Sequence, residues 1–292
     1  MGYSSRYHAA SLAAVFLALA IGILIGVGFG DEVVSGTSRS LEESLQDDLA
    51  DARSQTEELG VQLDREREFG ESAYPALVGD RLDRERVAVI AIGGLAEDLS
   101  EDIEAALGPT GGSLAKVAVV RYPPETGQLA DLLEGTRFSR LDRRPELIED
   151  LGRVAGRQLV TGGRLLSEIG ERFLSRFSGS AGRVDDVVLV RDVAEDGSPA
   201  EREAAERLES GLLDGVRDAG VPVVAVERSD SEESSVSLFE SHDIPTVDNL
   251  DLVSGRVAMV FVLGGAEGNF GVKETADQLL PDLLVPAPDR GQ

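Results

Sequence analysis

Residues Ala9 to Gly30, AASLAAVFLALAIGILIGVGFG, carry no charge. Their length matches the roughly 20 apolar residues that a helix needs to cross a hydrocarbon core of about 30 Å. Arg6 and His8 precede the stretch, and Asp31 and Glu32 follow it at once. The positive-inside rule then places residues 1–8 in the cytoplasm and everything after residue 30 outside the membrane. A cleaved signal peptide fits less well. The apolar run exceeds the usual h-region, and no A-x-A site precedes Asp31. A buried core helix is the third reading. Gly22, Gly26 and Gly30 fall four apart, on one stripe of the predicted helix. Such a stripe lets a second helix approach closely in lipid. It also arises because glycine is common in membrane helices, so both readings stand.

After the anchor the sequence turns strongly polar. With Leu45 at d of a heptad, Leu49 falls at a, Ala52 at d, Thr56 at a, Leu59 at d and Leu63 at a. Acidic residues crowd the positions between them. A helix that is polar on most faces buries little alone, and pairing along a 3.5-residue seam supplies the missing burial. The pattern predicts a parallel coiled-coil stalk over 31–72 and a homodimer. Ala52 and Thr56 weaken the seam. A lone solvated helix, or one folded back on the domain, is the alternative. Gly70 and Pro75 are expected to end the helical pattern.

From Arg86 onward, short apolar runs alternate with amphipathic stretches. Strands are expected at Val87–Ile92, Ala115–Val120, Val187–Val190, Val221–Val226 and, strongest of all, Val257–Leu263. Helices are expected at Leu95–Leu107, over most of 125–178 with breaks at Pro145 and at Thr161-Gly162-Gly163, at Pro199–Ala219 with Ser198 as N-cap, and at Val272–Leu280. Uniformly apolar strands alternating with helices predict an open, mostly parallel α/β sandwich covered on both faces. They do not predict a membrane barrel, which needs many ~10-residue stretches of alternating polarity. The domain reading is thus 1–8 cytoplasmic, 9–30 membrane helix, 31–72 stalk, 73–280 extracytoplasmic α/β domain and 281–292 a proline-rich tail.

The chain holds 54 acidic and 28 basic residues, a formal charge of −26. That excess repels phosphate backbones and excludes general nucleic-acid binding. Lys116 and Lys273 are the only lysines, and no site in the sequence demands that bias. There is no cysteine, so thiolate catalysis and Cys-based metal sites are excluded outright. His8 and His242 are the only histidines, and Met1 and Met259 the only methionines. Cu(I) prefers thiolate or thioether and Cu(II) imidazole, so this inventory predicts no metal site. Met259 reads as core and His242 as a satisfied surface residue in a turn. Asp98, Glu101 and Asp102 read as the solvated face of a helix. No catalytic constellation and no cofactor are expected.

Ligands in open α/β sheets sit at the carboxyl ends of strands. Glycine turns occur at Gly93-Gly94, at Thr161-Gly162-Gly163 and at Gly264, Gly265, Gly268, Asn269 and Gly271, with Lys273 just beyond. The last is either an anion cradle of backbone amides or a packing turn between strand and helix. It is not a P-loop, because no GK[ST] closes it.

The block His8 to Gly22 resembles the start of the actinobacterial MctB family, described as copper transport outer-membrane proteins. The acidic heptads, and Gly-Asn-Phe-Gly-Val-Lys followed by Leu-Leu-Pro between Gly268 and Pro281, are similar in place and character. The resemblance implies an envelope location and a role in copper export or tolerance, with a pore as one form of it. It also implies a link to a cytoplasmic partner in envelope growth and division. The residues themselves agree with the envelope and argue against a pore and against direct copper ligation.

Overall fold

The computed structural model describes residues 5–141, 143–194 and 197–283, with the backbone alone at 5, 6 and 28–43. Residues 1–4 of the proposed cytoplasmic segment, and 284–292 of the proline-rich tail, lie outside the described residues. The chain divides into two compact units, Met1–Glu66 and Arg67–Gln292.

The first unit is one continuous helix, the greater part of α1 (Ser5–Val78). Its segment Tyr7–Val27 is long and apolar enough to cross a membrane. Gly22 and Gly26 have open space around them; the surroundings of Gly30 lie outside the description. Leu45, Leu49, Leu59 and Leu63 are exposed, each by half or more of its surface.

In the second unit, α1 runs through Gly70 and Pro75 rather than stopping there. Both residues are accommodated for local reasons. A Cβ on Gly70 would press against Val253 at 3.2 Å, so the missing side chain makes room for a neighbour. Pro75 sits in the last turn, where its lost N–H forfeits only one helical bond. Tyr74 pins this turn: it is 3% exposed, and its hydroxyl donates to Ala106 O at 2.6 Å.

A seven-stranded sheet follows, in the order β3-β2-β1-β4-β5-β6-β7. Its members are β1 (Arg86–Gly93), β2 (Ser113–Val120), β3 (Leu174–Gly179), β4 (Asp186–Asp192), β5 (Val223–Val226), β6 (Thr246–Val247) and β7 (Asn269–Phe270). All neighbours pair parallel except β2 and β3, which are antiparallel. Alternation along β1 serves both faces. Ala88, Ile90 and Ile92 enter one apolar cluster, and Val87, Val89 and Ala91 enter the other.

The first face is covered by α3 (Thr126–Leu132), α4 (Glu146–Thr161), α5 (Arg164–Phe173), α6 (Pro199–Arg217) and α7 (Val236–Glu240). The second is covered by the end of α1, by α2 (Glu97–Leu107) and by α8 (Val253–Leu263). Ser198 closes a full capping box with Glu201 at the start of α6.

Three further expectations are corrected. Val257–Leu263 is the body of helix α8, not a strand. Every residue from Gly255 to Leu263 is buried, so the 3.6-residue period that marks a helix is erased. The parallel neighbours β6 and β7 also require a crossover, and α8 is that crossover. Second, Val272–Leu280 forms turns and bends, with only an isolated bridge from Phe270 to Gln278. Third, the stretch expected to be helical to residue 178 ends in β3, an edge strand whose last five residues are exposed.

Candidate functional site

The strand order changes direction at β1, with β2 on one side and β4 on the other. The crevice between the ends of β1 and β4 is where a doubly wound sheet takes its ligand. Here that crevice is closed by protein. Gly94 N donates to Asp192 O at 2.7 Å, and a Cβ on Gly93 would collide with the same carbonyl. Gly93 has φ +85°, which any other residue adopts only under strain. The following helix, α2, opens with Glu97 and Asp98 in its first turn. Those carboxylates occupy the positive end of the helix dipole and repel a phosphate.

A cleft of about 510 Å3 lies one position along, at the ends of β4 and β5. Its two arginines are paired by carboxylates of the protein. Arg191 Nε donates to Glu209 Oε1 at 2.7 Å, and Glu209 is only 4% exposed. Arg228 pairs with Asp102, with Asp98 at 3.6 Å and with Asp230 at 3.2 Å. Burial pushes the Asp102 carboxyl above the usual range, and Arg228 opposes that rise. Asp98 and Asp102 therefore join a tertiary ion pair and are not simply solvated. Asp251 accepts from Ser229 N and Oγ, both at 2.7 Å, and these bonds outweigh its burial and hold its pKa down.

The glycine-rich segment does cradle an anion, and the anion belongs to the protein. Val272 N donates to Asp248 Oδ1 at 2.7 Å and Lys273 N to Asp248 Oδ2 at 3.1 Å. Asp248 is 1% exposed, and a Cβ on Gly271 would overlap its carboxylate. Lys273 starts no helix. Its Nζ donates to Glu227 Oε1 at 2.6 Å, and Glu227 also accepts from Ser234 Oγ and Ser235 N. Strand β7 divides the segment between the two ends of the sheet. Gly264, Gly265 and Gly268 precede it, Asn269 lies within it, and Gly271 and Lys273 follow it. Gly265, Gly268 and Asn269 line a second cleft, of about 540 Å3, whose rim carries Glu240, Asp243 and Glu267 against Arg217.

The soft-metal donors are dispersed. Met259 is fully buried in α8. His242 is more sheltered than a surface turn suggests: its side chain is 13% exposed, and Nδ1 lies 2.9 Å from Asp214 Oδ1. Asp214 also accepts from Arg153 at 3.0 Å, and these two bonds hold its pKa low in spite of burial. Among the described residues, no three of His, Cys, Asp and Glu gather as metal ligands.

Lys116 was missed as a structural residue. It is 2% exposed on β2, and its Nζ donates to Leu159 O at 2.5 Å and Gly182 O at 2.9 Å. It thus ties the C-terminal end of α4 to the turn before β4. A lone lysine inside the apolar run Leu114–Val120 was the signal available.

The fold and these sites define an α/β protein with a membrane-length N-terminal helix, whose β1/β4 crevice is closed by its own backbone and whose cleft arginines are paired within the protein. Residues 3–281 match the family described as "Copper transport outer membrane protein, MctB", and the chain belongs to that family. It is 26% identical to "Copper transporter MctB" of Mycobacterium bovis and, equally, to that of Mycobacterium tuberculosis H37Rv. Each alignment spans 333 positions and covers 92% of this chain and 96% of the relative.

Proposed function

We propose that the chain is a single-pass envelope protein with a copper transport-related role, exerted without tight copper ligation by its own domain. The family and the names of its relatives support the copper role. The observation that carries the rest is the state of the donors. There is no cysteine, Met259 is sealed in the core, and the one domain imidazole is held by Asp214. A single imidazole among carboxylates is a poor, exchangeable site for a soft ion. Export or tolerance then runs through a partner protein or through the integrity of the envelope, and the domain does no catalysis.

In this reading residues 9–30 are the anchor, the N-terminus is cytoplasmic and the α/β domain is extracytoplasmic. Residues 31–72 pair in parallel through Leu45, Leu49, Ala52, Leu59 and Leu63. Exposure of the four leucines in the single chain supports pairing, because a seam left in water forfeits about 25 cal/mol per Å2 of apolar surface. The same exposed seam favours a second reading, a membrane-anchored scaffold for a cytoplasmic partner in envelope growth or division.

Two measurements test this. A phosphatase fused after residue 283 is expected to be active and a cytoplasmic reporter there silent; the reverse overturns the orientation. For the chain from residue 31 onward, light scattering is expected to give a dimer that Leu49→Asp with Leu59→Asp converts to monomer. Those changes put carboxylates at facing seam positions where water reaches them poorly. An unchanged mass would show that the chain does not pair through this seam.

A further inference from the structure

We infer that the free edge of β3, with the cleft beside it, is a docking site for an extended acidic segment of a partner protein, which it takes as an eighth strand. Strand β3 ends the sheet and pairs only with β2. Ser180 N donates to Ala115 O at 2.8 Å, and Ser178 and Arg176 stand opposite Val117 and Val119. By the two-residue period of an antiparallel ladder, these residues point their amides at β2. Phe177 and Gly179 point theirs outward. The strand is exposed from Ser175 to Gly179, so those donors and acceptors face solvent. An open row of this kind recruits a further strand.

The cleft supplies an anchor. It encloses about 510 Å3 against β3, α4 and α5, with Leu159, Leu166, Leu174 and Phe177 along its walls. Phe177 is 44% exposed, an apolar ring standing open at the mouth. Lys116 lies at its base and Glu171 on its rim.

Charge selects the occupant. Residues 121–183 carry eleven arginines and nine acidic residues, a net of +2 in a chain whose total is −26. Several arginines elsewhere in the domain are paired, as Arg191, Arg207, Arg217, Arg228 and Arg256 are. Arg172 closes α5 and Arg176 lies on β3. Arg121 leads off from β2 and spends its Nε on Arg172 O at 3.1 Å. Among the described residues these three have no carboxylate partner. Arg176 lines the cleft, Arg172 ends the helix beside β3, and Arg121 reaches the Arg172 carbonyl, so this edge carries cationic groups that no carboxylate among the described residues neutralises. An acidic strand is attracted there and repelled by the rest of the surface.

The test uses the full-length chain in detergent and three fluorescent hexapeptides. The first alternates valine with glutamate, the second replaces glutamate by lysine, and the third is the first with alternate backbone nitrogens methylated. The first is expected to bind. The second and third are expected to bind at least about tenfold more weakly, the second for want of complementary charge and the third for want of ladder donors. Arg172→Glu with Arg176→Glu alters exposed residues, and is expected to weaken the first peptide and strengthen the second. Failure of the first peptide to bind overturns the inference, including the case in which a second copy already covers β3. So does equal binding of the second or third, or indifference to the charge reversal.

Discussion

Lys116 holds an ammonium group where water barely reaches it. Burial, with help from nearby Arg86, pulls its pKa from the ordinary 10.5 down to about 8. Between these values the unfolded chain keeps a proton that the folded chain has released. The unfolded state binds more protons there, so stability rises with pH across that window. Tyr74 sets the upper limit. Burial raises its phenol pKa, so folding resists its ionisation and stability falls once the unfolded tyrosine titrates near pH 10. The thermal midpoint is therefore expected to climb from pH 8 to about 9.5, and Lys116→Met is expected to flatten that climb. Equal pH dependence in the two proteins contradicts the assignment. At the same scale, Met259 was legible from its apolar neighbours, whereas the Asp248 cradle was not. An internal carboxylate and a bound anion ask the same backbone amides of a glycine loop, and only the tertiary structure says which one fills them.

Among the helices, the most extensive contact in the domain is between α4 and α6. Gly152 and Gly156 on one helix meet Gly211 and Gly215 on the other. A Cβ at Gly211 would overlap Glu149 O, and one at Gly156 would overlap Leu212 O. Each glycine removes a side chain so that two backbones can touch, as four-apart small residues do in any close helix pair. Gly211→Ala is expected to destabilise the domain by about 2–4 kcal/mol, because both partners are backbone and neither can swing aside. Denaturant melts of the full chain measure it, and a loss under about 0.5 kcal/mol, the level of a surface change, would contradict the packing. The glycine stripe that drew the eye in the sequence was the one in the membrane helix. At Gly22 and Gly26 a Cβ would meet nothing in the single chain. The strands β1, β2, β4 and β5 were legible as short apolar runs bounded by turn residues, and helix α6 by its period and its capping box. Helix α8 was not, because burial on every side removes the polar face that gives a helix its period. The two-residue strands β6 and β7 are too short to carry any period.

For the molecule as a whole, an N-terminal apolar helix and a mostly parallel α/β sheet were written in hydropathy. The contents of the sheet-end crevices were not, since they depend on side chains brought together from distant segments, such as Glu227 with Lys273 or Arg228 with Asp102. In the reading proposed above, a member of a copper transport family acts without a tight copper site of its own. Competition between the purified full-length chain and a high-affinity Cu(I) chelator under reducing conditions tests it directly. The chelator is expected to keep its copper at all protein concentrations, and His242→Ala and Met259→Leu are expected to change nothing. Stoichiometric withdrawal of Cu(I) from the chelator would contradict it, most sharply if either substitution abolished the binding.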